Sequence, residues 1–83
     1  VTFRAALDAI PAGYSEGVFQ GRRYRIEKTL LAGGRSVKLV AWELGGADYI
    51  SLNVYALAAG DALRPCEMPE DKVRDFVSGV AIG

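Results

Sequence analysis

Two glycine pairs, Gly33-Gly34 and Gly45-Gly46, cut the middle of this chain into runs in which apolar and polar residues alternate. A period of two is the pattern of a strand with one buried and one open face. Paired glycines reach the positive φ angles of tight turns at little steric cost. The alternation predicts strands over Tyr24 to Leu31, Ser36 to Leu44 and Tyr49 to Leu57. The third is the cleanest, with Ile50, Leu52, Val54 and Ala56 on one side and Tyr49, Ser51, Asn53 and Tyr55 on the other. Upstream, Val18-Phe19 reads as a brief extra strand ending in a turn around Gly21, and the edge it joins is left open.

Helical patterns flank this block. Phe3, Ala6, Leu7 and Ile10 fall at i, i+3, i+4 and i+7, which predicts a helix from Thr2 to Ile10. Thr2 is placed to cap it, and Pro11 stops it because proline lacks an amide hydrogen and disfavours helical geometry in the residue before it. After Pro69, set at the first helical position, Val73, Phe76, Val77 and Val80 repeat the same spacing. Glu70 and Asp71 there oppose the positive end of the helix dipole. Gly79 is read as the fraying point or cap, and the last few residues as loose. Ala58 to Glu67 carries turn residues and no period, so it reads as a loop.

The expected fold is therefore α+β in two layers. It is an antiparallel meander of three or four strands with a short helix at each end, both packed on one face (α-β-β-β-(β)-α). Both helical stripes would cover Tyr24, Ile26, Val37, Leu39, Ile50, Leu52 and Val54. Lys28 falls on that same core side by strict alternation, which suggests a bulge or an early end to the strand. Eighty-three residues make one domain, 1–83, with a single thin core. Hydrophobic residues at 51% and charged residues at 24% exclude wholesale disorder. No apolar run reaches the length needed to span a bilayer, and nothing resembles a signal peptide. One cysteine excludes an internal disulfide framework, so the expectation is a cytoplasmic protein with no membrane association.

If helices cover one face, the other keeps Arg25, Glu27, Thr29, Lys38, Val40, Trp42, Tyr49, Ser51, Asn53 and Tyr55. The only tryptophan and two of the four tyrosines fall on it. Such a patch is unusual on a surface without a partner, and aromatic residues are enriched at interface centres. Three readings follow. Trp42 packs under a chain terminus or the loop after Leu57, the face is a homodimer interface, or it receives a ligand or another protein. The homodimer is the expected functional reading, with Trp42, Val40, Tyr49 and Tyr55 as the interface and Arg25 and Lys38 at its rim.

Charge supplies the alternative. The net charge is zero, yet residues 22 to 38 hold six basic residues against Glu27 alone, and residues 39 to 75 hold three against seven acidic ones. A basic hairpin of Arg22, Arg23, Arg25, Lys28, Arg35 and Lys38 beside aromatic rings is one way to grip nucleic acid. A solvated charge pattern, or self-complementary pairing with the acidic half, is the favoured account, and an acidic protein partner is a third. The order of elements resembles the double-stranded RNA-binding domain in topology. That family places a lysine pair at the start of its last helix, where this chain has Glu70 and Asp71.

Catalytic and metal chemistry find few carriers. Without histidine, the commonest general base and metal ligand is missing, so Ser-His-Asp and Cys-His arrangements are excluded. One cysteine makes no zinc site, and neither glycine pair matches a nucleotide-binding loop. No enzyme activity, metal or cofactor is expected. Cys66, near Arg64 and ahead of a helix, is open to three readings: a tolerated thiol, a reactive one, or half of an intermolecular disulfide. Glu67 and Glu70 read as capping residues rather than as an acid–base pair.

The stretches Gly21-Arg22-Arg23-Tyr24, Gly34-Arg35-Ser36-Val37-Lys38-Leu39, residues 43 to 53 and Pro65-Cys66-Glu67-Met68-Pro69 resemble those of short, uncharacterised bacterial proteins. The resemblance spans most of the chain from Gly13 onward. It implies a free-standing small bacterial cytoplasmic protein, and brings no activity, cofactor or site residue with it.

Overall fold

Thr2 opens the first helix as its sequence position demands. Its hydroxyl accepts the amide hydrogen of Ala5 at 3.1 Å, and α1 (Phe3–Ala9) runs until Ile10 turns extended before Pro11. The computed structural model describes residues 2–57 and 60–83. From α1 the chain enters β1 (Gly13–Phe19), then β2 (Arg22–Leu31), a short 3-10 turn at Ala32–Gly34, β3 (Ser36–Glu43), β4 (Tyr49–Leu57) and β5 (Gly60–Pro65). Helix α2 (Glu70–Gly79) and a two-residue β6 (Ala81–Ile82) complete the chain. The strands form one antiparallel sheet in the order β5-β4-β3-β2-β1-β6.

The α+β class and the two-layer packing agree with the sequence reading, whereas six strands replace the expected three or four. All seven expected core positions of the sheet are buried, together with Leu7 and Ile10 of the first helical stripe and Val73, Phe76 and Val77 of the second. Phe3, Ala6 and Val80 lie partly buried against them. Phe19, Tyr24 and Phe76 meet edge to face, with ring centroids 5.0–6.4 Å apart.

The additional pairing lies at the sheet's edges. β5 replaces most of the expected loop, of which residues 58–59 lie outside the described residues. The bond from Cys66 N to Ser51 O fixes the alternation and turns Pro65 away from β4. The missing amide hydrogen of proline thus costs no ladder bond on this edge strand. β1 begins at Gly13 rather than Val18, because its core-side positions are Gly13, Ser15 and Gly17, which carry no apolar signal. The C-terminal residues are not loose: Ala81 and Ile82 pair with Val18 and Gly17, and the amide of Gly83 donates to Glu16 O at 3.0 Å. Pro69 sits one place earlier than expected, at the N-cap of α2, and Gly79 is the last helical residue.

Lys28 produces neither a bulge nor an early strand end. β2 continues unbroken to Leu31 with its register against β3 intact. The side chain is 6% exposed, and its ammonium donates to the carbonyls of Leu7 and Ile10 at 2.8 Å each. A buried cation is tolerated where it meets the partial negative charge of a helix C-terminus.

Candidate functional site

With both helices on one face, the opposite face of the sheet is open, and the strand register sets its composition. One row across the strands reads Glu16, Arg25, Trp42, Tyr49, and the next reads Tyr14, Glu27, Val40, Ser51. The following rows are Thr29, Lys38, Asn53, Arg64 and Leu31, Ser36, Tyr55, Ala62. Trp42 is 42% exposed, Tyr49 39%, Tyr55 41% and Tyr14 66%. Val40 is half-buried between Glu27 and Ser51. No part of β5 or the C-terminal strand covers Trp42, since both lie at the sheet's edges.

The interface residues expected from the sequence therefore share one surface. Arg25 and Lys38 occupy its middle rather than its rim, because β2 and β3 are the two central strands. The Arg25 guanidinium lies 5.3 Å from the centroid of the Tyr14 ring, a cation–π arrangement. Tyr14, Arg25, Trp42 and Leu44 line a hollow of about 340 Å³. Sequence reasoning missed Tyr14 and Leu44. Tyr14 stands between Gly13 and Ser15, so no alternation marks it; Leu44 falls on the side of Val40 and Trp42 by the same alternation, at the last position of the expected strand, although β3 itself ends at Glu43.

The six residues of the proposed basic hairpin do not form one patch. Arg23, Arg25 and Lys38 project onto the open face, while Arg22 and Lys28 belong to the side that carries the helices. Arg35 sits in the turn before β3 and donates to Ala32 O at 3.2 Å. Arg23 is paired with Glu16 at 2.7 Å, and Arg22 lies 3.9 Å from Glu43. Arg64 joins the open face opposite Asn53, so that face holds four cations against Glu16 and Glu27.

Cys66 lies half-buried beside the same surface, with Asn53 Nδ2 at 3.7 Å from its sulfur, and four residues ahead of α2. Glu67 is exposed, and Glu70 is bonded to Arg74 within the helix at 2.6 Å. No group of three or more acidic or thiol side chains is placed to hold a metal among the described residues. No helix among them is long and apolar enough to cross a membrane.

On the helix side, Asp48 ties the β3–β4 turn to both layers. One carboxylate oxygen accepts the Tyr24 phenol at 2.8 Å and the other accepts Lys72 Nζ at 2.6 Å, while Glu43 accepts the Asp48 amide hydrogen at 3.2 Å. The hydrogen bond from Lys72 is the main cause that holds the Asp48 carboxyl below its ordinary pKa. Burial, and then the bond to Asp48, raises that of Tyr24. Comparison with protein-family models, curated proteins and solved structures gives no match to this chain.

Proposed function

We propose that this chain is a non-catalytic binding module that self-associates through the open face of its sheet. The observation that carries the reading is the grouping of Tyr14, Trp42, Leu44 and Tyr49, all exposed, at one end of the side the helices leave free, with Tyr55 exposed further along the same face. Large apolar side chains gathered on one surface mark interaction sites, whereas scattered ones need no explanation. Area supports the same occupant. Five strands at about 4.8 Å spacing and about eight residues at 3.3 Å rise give a plane of roughly 24 by 26 Å. With side-chain relief, that approaches the ~800 Å² per partner of a standard interface. A two-fold pair of such faces presents the same patch to itself, as closed symmetric dimers do.

The test is mass in solution by light scattering, for the native chain and for Trp42→Arg. The native chain is expected at twice the monomer mass and the variant at the monomer mass, folded but with a lower melting temperature at the same concentration, because association no longer supports the folded state. A native monomer across the micromolar range overturns self-association.

A second reading is favoured by charge. Arg23, Arg25, Lys38 and Arg64 share the aromatic face, an arrangement suited to single-stranded nucleic acid, with rings stacking on bases and cations on phosphates. It requires affinity for a single-stranded oligonucleotide that falls steeply with added salt. A flat salt response removes it.

A further inference from the structure

On the side away from the open face, a cleft of about 290 Å³ opens between the start of β4, the β1–β2 turn and α2. Its apolar surface is the half-buried ring of Phe19, with Ile50 and Tyr24 buried beneath. Its walls carry Arg22, Lys72, Asp75 and Gln20. We infer that this cleft binds a small zwitterion of the α-amino-acid class with an apolar side chain.

The argument turns on which polar groups remain free. Asp48 has both carboxylate oxygens engaged, by Tyr24 and by Lys72, and is thereby fixed. An ammonium has three donors, so the bond to Asp48 leaves Lys72 with two. Arg22 is 59% exposed along its side chain and reaches Glu43 only at 3.9 Å, so most of its guanidinium donors are also free. Asp75 enters no ion pair among the described residues. The cleft therefore offers cationic donors and one free carboxylate around an apolar floor.

A free amino acid matches each of these groups. Its carboxylate meets Arg22 and Lys72, where charge-assisted bonds are the strong ones. The ammonium meets Asp75, and the side chain covers the half-buried ring of Phe19. The volume lies near the lower end of small-molecule sites, which favours a ligand of this size over a nucleotide.

The test is titration by amide chemical-shift mapping with L-leucine, N-acetyl-L-leucine and L-leucinamide. Leucine is expected to give saturable shifts confined to residues 19–22, 48–50 and 72–76. Removing either charge of the ligand is expected to weaken binding by about tenfold. Arg22→Gln weakens leucine and N-acetyl-leucine and leaves leucinamide unchanged; Asp75→Asn weakens leucine and leucinamide and leaves N-acetyl-leucine unchanged. Both side chains are exposed, and neither bonds to Asp48 itself, Arg22 approaching the Tyr24 phenol instead, so the fold is retained. Absence of saturable shifts at millimolar leucine overturns the inference, as do equal affinities for the three compounds or shifts on the open face. The outcome is independent of the oligomeric state, so it stands or falls apart from self-association.

Discussion

The ammonium of Lys28 lies 2.8 Å from the carbonyl oxygen of Ile10, and the same group reaches Leu7 O at an equal distance. A side chain of β2 thus closes the C-terminus of α1, whose last carbonyls have no partner within the helix. Leu7 O also accepts the Ile10 amide at 3.1 Å, so Ile10 O is the one that depends on the lysine. Burial lowers the Lys28 pKa from its ordinary value, and the carbonyl contacts compensate the desolvated charge locally.

Replacing Lys28 by methionine keeps the straight stem and removes the donor. Ile10 O is then left buried without a partner, and the variant is expected to lose about 2–3 kcal/mol of stability. Urea denaturation measures this. A loss below about 0.5 kcal/mol, the level of an ordinary surface substitution, would show that the contact contributes nothing net.

The contacts of Asp48 give the stability a defined dependence on pH. The folded pKa of Asp48 is depressed, so its contribution is complete above the ordinary carboxylate pKa of about 3.9 and is lost as pH falls through the folded value. The folded pKa of Tyr24 is raised above 10.0, so its contribution is complete below that pH and is lost as pH climbs through the folded value. Asp48→Asn is expected to cost about 1–2 kcal/mol at neutral pH and to flatten the acid limb. Tyr24→Phe flattens the alkaline limb. Denaturant midpoints across pH decide it, and an acid limb of unchanged slope in Asp48→Asn would clear Asp48 as its cause.

At Gly17 the segment entering β6 lies close against β1. A Cβ there would lie 2.8 Å from Val80 Cγ2 and 2.9 Å from the backbone oxygen of Ala81. The second contact is with backbone, so β6 must move. Gly17→Val is expected to detach residues 81–83, with the amide of Val18 losing its hydrogen-exchange protection, at a cost of about 1–3 kcal/mol. Exchange rates identical to those of the native chain would contradict this.

How much of the molecule was legible depends on what each element uses to hold itself. Helices α1 and α2 and strands β2, β3 and β4 bury whole side chains on one face, so Leu7, Ile26, Leu39, Leu52 and Phe76 announce them by their spacing. The aromatic half of the open face followed from the same alternation. Strands β5 and β6 and the first half of β1 are held mainly by backbone pairing at the sheet's edges. Their residues include Gly13, Gly60, Pro65 and Ala81, whose side chains carry no periodic signal.

By itself, then, the sequence determined the two-layer α+β class, the core face and the side on which Trp42 stands, because local periodicity follows directly from which side chains leave water. Only the tertiary structure decided the six-strand count, the placing of Tyr14 against Arg25, the pairing of Arg23 with Glu16, and the burial of Lys28 under α1. Each of those depends on strand register or on the meeting of segments far apart in the chain. A period of two says which way a side chain points, and carries no information about what stands opposite it.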